Sequence, residues 1–190
     1  MASDGLHAGV SKPVAGVCMS MRLLGRRLAG ISLVVGLLGA APVEAREVVA
    51  FRDGSVSAGT IVIRTGERRL YYVMGDGRAI RYPVGVGRAS KQWTGTTRID
   101  GKYVRPAWSP PREVKRDKPS LPDVIEGGSP RNPMGAAAMT LAGGEYAIHG
   151  TNVPSSIGGF VSYGCIRMFN QDVVDLYGRV SVGTTVMVVR

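Results

Sequence analysis

Glu145-Tyr-Ala-Ile-His-Gly-Thr-Asn-Val-Pro-Ser-Ser-Ile-Gly-Gly-Phe-Val-Ser-Tyr-Gly-Cys-Ile-Arg-Met-Phe-Asn170 carries the two most reactive side chains of the C-terminal half, His149 and Cys165, with fifteen residues between them. From Glu145 to His149 polar and apolar residues alternate, as in a half-buried strand, and Gly150 ends the run. Asn152, Pro154 and Gly158-Gly159 then make a loop, and residues 161–168 return as a second extended segment. A strand, a loop and a returning strand predict His149 beside Cys165, as a thiolate–imidazole dyad. A free thiol with a pKa near ~8.5 is mostly protonated at neutral pH, and a neighbouring imidazolium would lower that value. Gly164 lets the backbone bend without a Cβ clash, so the local N–H groups can face a developing oxyanion. On this pair alone, a small buried cysteine without chemistry is the competing reading.

The surrounding residues narrow the choice. H-G-T-N at 149–152, S-Y-G-C-I-R-M at 162–168 and N-P-M-G at 132–135 together resemble the L,D-transpeptidase catalytic domain, the YkuD-like family. The resemblance runs from about Gly59 to the C-terminus. Its signature is a His, a loop, then Ser/Thr-His-Gly-Cys, an apolar residue and Arg or Asn. Ser162, Gly164, Cys165, Ile166 and Arg167 match it. Tyr163 stands where many members carry a second His, which leaves His149 as the one imidazole of residues 46–190.

The resemblance implies a mainly β fold, an L,D-transpeptidase-like β-sandwich with a short helix after the cysteine segment. It implies a cysteine-dependent acyltransferase acting on peptidoglycan stem peptides. Cys165 would be acylated by a tetrapeptide stem with release of D-alanine, and the acyl group would pass to an amine. His149 would carry the proton, the Gly150 carbonyl would orient the imidazole, and the N–H groups of Gly164 and Cys165 would form the oxyanion hole. Arg167, Ser162, Tyr163 and Asn152 would meet substrate. For Arg167 a structural salt bridge competes with carboxylate recognition, and for Ser162 a purely local backbone bond competes with support of the site. The acceptor stays open between a stem amine, giving a 3–3 cross-link, and an amine on a wall-linked protein. Water as acceptor would make an L,D-carboxypeptidase, and loss of activity a silent wall-binding domain.

Residues 1–45 read as an export signal. Arg22, Arg26 and Arg27 precede an apolar run of fourteen, Leu28 to Ala41, short of the ~20 residues that span a bilayer. Val43-Glu44-Ala45 offers a cleavage site, so the mature chain would begin at Arg46 and carry no membrane span. Met1, Met19 and Met21 remain alternative starts. Cys18 falls in the removed segment, so Cys165 would be a lone thiol in an oxidising compartment, the periplasm or cell wall. His7 is removed with it, and one remaining histidine builds no zinc site of the usual kind; neither metal nor cofactor is expected. The chain has 24 Lys/Arg and 14 Asp/Glu. Removing the four and two of residues 1–45 leaves twenty and twelve, hence +8. Export points that charge at the carboxylates of the wall and not at nucleic acid.

Residues 46–58 read as a short N-terminal segment and 59–190 as the catalytic domain. Glu47 to Phe51, Thr60 to Arg64, Arg69 to Met74 and Ala79 to Val84 are predicted strands, the last three a meander. Residues 85–101 are Gly/Thr-rich, and their T-G-T-T-R stretch resembles the family segment that turns toward the substrate cleft. Residues 105–133 hold seven prolines and little periodicity, the mark of a lid or binding loop. Trp108 is either an anchor beneath that loop or a cleft wall. Residues 136–141 favour helix by propensity, whereas the resemblance implies a strand. Asn170 is read as the N-cap of a helix over 171–178, and residues 184–189 as a closing strand.

Overall fold

The computed structural model describes residues 46–190; the predicted export signal lies outside them. Eleven strands and two α-helices are present among the described residues. The meander forms as expected. β2 (Ile61–Arg64), β3 (Arg69–Gly75) and β4 (Arg78–Pro83) pair antiparallel in sequence order. The tight β3–β4 turn needs left-handed backbone at two successive positions, and Asp76 (φ 50°) and Gly77 (φ 74°) supply it.

β1 (Glu47–Ala50) adds to β4, and Phe51 is buried with Val62, Tyr71, Val73 and Ala79. Residues 46–58 therefore belong to the same folded unit as the rest. The final strand, β11 (Thr185–Val189), inserts between β2, to which it is parallel, and β6 (Gly95–Val104), to which it is antiparallel. β7 (Ala137–Leu141), β8 (Ala147–His149) and β10 (Ile166–Arg167) complete a nine-stranded sheet in the order β1-β4-β3-β2-β11-β6-β7-β8-β10. β5 (Val86–Gly87) and β9 (Phe160–Ser162) form a separate parallel pair.

Ala137–Leu141 is the strand that the resemblance implied, against its helical propensity. It lies between β6 and β8 with Ala137, Ala138, Met139 and Leu141 all buried, so pairing and burial on both faces override intrinsic preference. β6 was hidden by its glycines and threonines and reads as a strand only through its two partners.

The main core gathers Ile61, Leu70, Tyr82, Ile99, Met139, Ile148, Ile166, Val173 and Leu176 between sheet and helix. Burying a Leu or Ile side chain contributes roughly 1.5–3 kcal/mol, so this cluster dominates the stability of the fold. α2 (Asn170–Arg179) contributes Val173 and Leu176 to it, both fully buried. At its C-terminal end the Lys102 ammonium donates to the carbonyls of Tyr177 (2.8 Å) and Val180 (2.5 Å), placing positive charge at the negative pole of the helix.

The N-cap of α2 is Phe169, not Asn170. Asn170 turns its amide away from the helix: Oδ1 accepts from the N–H groups of Ala136 (3.0 Å) and Thr151 (3.1 Å), and Nδ2 donates to the Thr151 carbonyl (3.0 Å). Three bonds to neighbouring loops replace one to the helix end.

Residues 105–133 hold one short helix, α1 (Arg112–Asp117). Trp108 and Ile125 exchange backbone hydrogen bonds of 2.8 Å across the segment. The buried Asn132 ties its base, with Nδ2 near the carbonyls of Pro106, Ile125 and Glu126 and Oδ1 accepting from Met134 N–H.

Candidate active site

The returning segment 161–168 is not one strand. β9 ends at Ser162 in the two-stranded pair, β10 starts at Ile166 in the large sheet, and residues 163–165 turn between them. β10 runs parallel to β8 with Ile166 opposite Ile148 and Arg167 opposite His149. As register partners Arg167 and His149 share one face, and Cys165 immediately precedes β10. All three line a cavity of about 610 Å³. Its far wall is the 105–133 segment, through Trp108, Pro111, Val114 and Leu121. Trp108 is thus both tied to Ile125 and part of the cleft wall.

His149 is 4% exposed. Its Nδ1 lies 2.7 Å from the Gly150 carbonyl. A carbonyl can only accept, so Nδ1 carries the proton and Nε2 keeps its lone pair. Burial first, and the Arg167 cation second, push the imidazole down to about 4, against the smaller opposing pull of the Gly150 and Pro133 carbonyls. The Cys165 thiol moves the other way: burial raises it above the ordinary range, outweighing the Ala147 N–H and the Arg167 charge, which both favour thiolate. Its Sγ faces the Glu145 carbonyl at 3.9 Å. At neutral pH the pair is therefore thiol and neutral imidazole. Both directions run against the expected preformed thiolate–imidazolium pair, because desolvation disfavours both charges.

Arg167 is partly buried and carries a guanidinium whose Nε has no hydrogen-bond partner. Desolvation lowers its pKa, with only the Cys165 charge acting in the opposite direction. No carboxylate among the described residues forms an ion pair with it, so a structural salt bridge does not account for this side chain.

Ser162 closes the turn locally. Its hydroxyl donates to the Cys165 carbonyl (2.6 Å) and accepts from Gly164 N–H (3.1 Å). The Gly164 N–H, one of the two expected oxyanion donors, is thus engaged. Gly164 has φ 122°, and a Cβ there would collide with the Tyr146 ring. Tyr163 points its hydroxyl at Asp117 of α1 (2.8 Å), with the Arg88 guanidinium 4.1 Å from its ring centroid. Asn152 donates to the Pro130 carbonyl at 3.3 Å from the cavity rim. Both lie at the cavity, but neither touches His149 or Cys165 by hydrogen bond.

Four positioning groups escaped the sequence reading. They are Asn170, Asn132, the acidic face of α1, and Trp93, whose indole N–H donates to the Gly164 carbonyl (3.0 Å) while its ring stacks on Tyr146. Only the N-P-M-G motif hinted at any of them.

A thiol just before β10 and an imidazole on the neighbouring β8, lining one cavity with an arginine, make a candidate cysteine–histidine site. Comparison with known proteins gives the family. The model of the L,D-transpeptidase catalytic domain, YkuD, matches residues 58–188. The probable L,D-transpeptidase ErfK/SrfK of Escherichia coli strain K12 is 39% identical over 138 residues, 68% of this chain and 43% of that protein. The fold is shared with an L,D-transpeptidase from Mycobacterium smegmatis at TM-score 0.56 and 18% identity, covering 77% of this chain and 69% of that one. It is shared also with LD transpeptidase LdtMt1 in complex with imipenem, at TM-score 0.53 and 15% identity, covering 68% and 58%. The chain belongs to the L,D-transpeptidase catalytic-domain family. It spans less than half the length of the curated relative it matches.

Proposed function

We propose that this domain cross-links peptidoglycan stem peptides by acyl transfer through Cys165. The observation that carries the reading is the His149 imidazole, its Nδ1–H held by the Gly150 carbonyl and its Nε2 left as base in the cavity it shares with Cys165. As Sγ attacks the carbonyl carbon of the third stem residue, Nε2 takes the thiol proton and the carbonyl π pair moves onto oxygen. The Cys165 N–H donates to that oxyanion. On collapse the C=O re-forms and the C–N bond to the terminal D-alanine breaks. Its amine leaves with the proton from the imidazolium, and a thioester remains. An acceptor amine attacks the thioester, passes its proton to His149, and thiol and imidazole are restored.

The Arg167 guanidinium, without an ionic partner, holds a substrate carboxylate by its planar fork. Tyr163 and Asn152 on the rim and Ser162 in the turn frame the bound stem. The +8 charge of residues 46–190 and the signal-like residues 1–45 support a place outside the cytoplasm, in the periplasm or cell wall. Among the described residues no helix is long and apolar enough to cross a membrane. An amine on a wall-linked protein is an alternative acceptor.

The test is the product mass spectrum of the purified domain with a defined disaccharide-tetrapeptide. A dimer lacking one alanine is expected, and Cys165→Ala should abolish it. Tripeptide monomer alone would reassign the domain as an L,D-carboxypeptidase. An unchanged substrate mass would leave only a wall-binding role.

A further inference from the structure

Four backbone polar groups flank the nucleophile, and three of them are occupied. Gly164 N–H goes to Ser162 Oγ, the Cys165 carbonyl accepts from the same hydroxyl, and the Gly164 carbonyl accepts from Trp93 Nε1–H. The fourth, Cys165 N–H, bonds to none of the described residues. C=O and N–H of one trans peptide point in opposite directions. Whatever grips the Gly164 carbonyl therefore aims the Cys165 N–H.

Trp93 supplies that grip without lining the cavity itself, whereas Cys165, Tyr163 and Tyr146 do. Its ring is fixed by stacking on Tyr146, with centroids 5.1 Å apart and planes 8° from parallel. Tyr146 in turn fills the space that a Cβ on Gly164 would need. Trp93, Tyr146 and Gly164 thus form one contiguous support behind the turn.

We propose that Trp93 is a positioning residue for the oxyanion donor: by holding the Gly164 carbonyl, it directs the Cys165 N–H at the oxygen of the carbonyl under attack. The proposal rests on Cys165 being an acyl-transfer nucleophile. In that step the S–C bond forms, the carbonyl π pair goes to oxygen and the thiol proton goes to His149. Only the oxygen's new charge feels Trp93.

The experiment compares two reactions of the same thiol in the purified chain. Acylation by imipenem passes through an oxyanion, whereas alkylation by iodoacetamide displaces iodide at a saturated carbon and develops none. Trp93→Phe keeps a ring for Tyr146 and removes the N–H. Trp93→3-benzothienylalanine keeps the indole shape and also removes it. Both variants should acylate about ten- to a hundred-fold more slowly, the range of a weakened oxyanion donor, with alkylation within two-fold of wild type. Acylation and alkylation falling together would make Trp93 merely structural and overturn the proposal. Unchanged acylation in the benzothienyl variant would overturn it as well, leaving the acyl-transfer reading standing. A wild-type chain in which imipenem never acylates Cys165 would sink the acyl-transfer reading and this inference together.

Discussion

Burial acts on His149 and Cys165 in opposite directions on the pH scale, because it disfavours whichever form carries charge. The imidazole falls to about 4 and the thiol rises. In the proposed mechanism His149 therefore stays unprotonated, and able to act as base, well below pH 6. The acid limb of kcat/KM should lie near pH 4, where an unperturbed histidine would place it near ~6.5. Alkylation of Cys165 by iodoacetamide should titrate above the ordinary thiol range in wild type and in His149→Gln alike. Transpeptidation should fall by roughly 10²–10⁴ in that variant, since thiol and leaving amine both lose their proton partner. A wild-type thiol titrating below pH 7 would restore the ion pair that the buried setting argues against. Arg167 permits a second test at this scale. Arg167→Lys keeps the charge and loses the fork, so KM should rise about ten-fold at an unchanged acid limb. Arg167→Gln removes the cation beside His149, so the acid limb should move upward as well. A pH profile of each variant, measured with its melting temperature, separates these effects from a loss of fold.

At the scale of elements, α1 is the piece most clearly added to the sheet scaffold. Glu113 pairs with Lys91 (2.7 Å) and Arg88 (3.7 Å), and Asp117 takes the Tyr163 hydroxyl and Arg88. These contacts pin the cavity wall to the turn that carries Cys165. They are largely exposed, so cutting one should loosen the wall without unfolding the domain. Tyr163→Phe and Asp117→Asn should each speed limited proteolysis within residues 105–133 several-fold and leave the melting temperature nearly unchanged. Equal cleavage rates in all three proteins would show that α1 is held by its apolar contacts instead. The same elements show what the sequence could convey. The meander, α2 and the His149–Cys165 juxtaposition were legible because alternation, turn residues and a local motif encode them within a few residues. β6 and β7 were not. β6 is held by β11 from the far end of the chain, and β7 favours helix by local propensity until it pairs between β6 and β8. Asn170 looked like a helix cap because capping is the local use of an asparagine, whereas its three partners lie 19 and 34 residues away. Trp93 reaches Gly164 across 71 residues, and no short-range pattern marks such a bond.

For the molecule as a whole, the buried imidazole links stability to pH. Its folded pKa lies below the unfolded value, so the unfolded chain binds more protons between pH 6.5 and 4. The contribution is complete above pH 6.5 and is lost as pH falls toward 4, amounting to about 3 kcal/mol. Asp172, 3% exposed and with its carboxyl pushed up by burial, acts in the opposite sense and returns part of this at the acid end. Urea melts at pH 7 and pH 4.5 should show the loss, and His149→Gln should flatten it. A flat wild-type profile would mean that His149 is wetter than its surroundings indicate. The placement of β11 has a different consequence, one of timing. The last strand in sequence lies in the interior of the nine-stranded sheet, bonded to β2 on one side and β6 on the other. Until residues 185–189 are available, the nine-stranded sheet is split between β2 and β6, and its two parts meet only through the short β5–β9 pair and the bridge of Gly85 to Arg167. Pairing so distant in sequence is slow. A chain halted on the ribosome before β11 emerges therefore lacks the central seam of its large sheet, and that sheet should close only after synthesis has passed this strand.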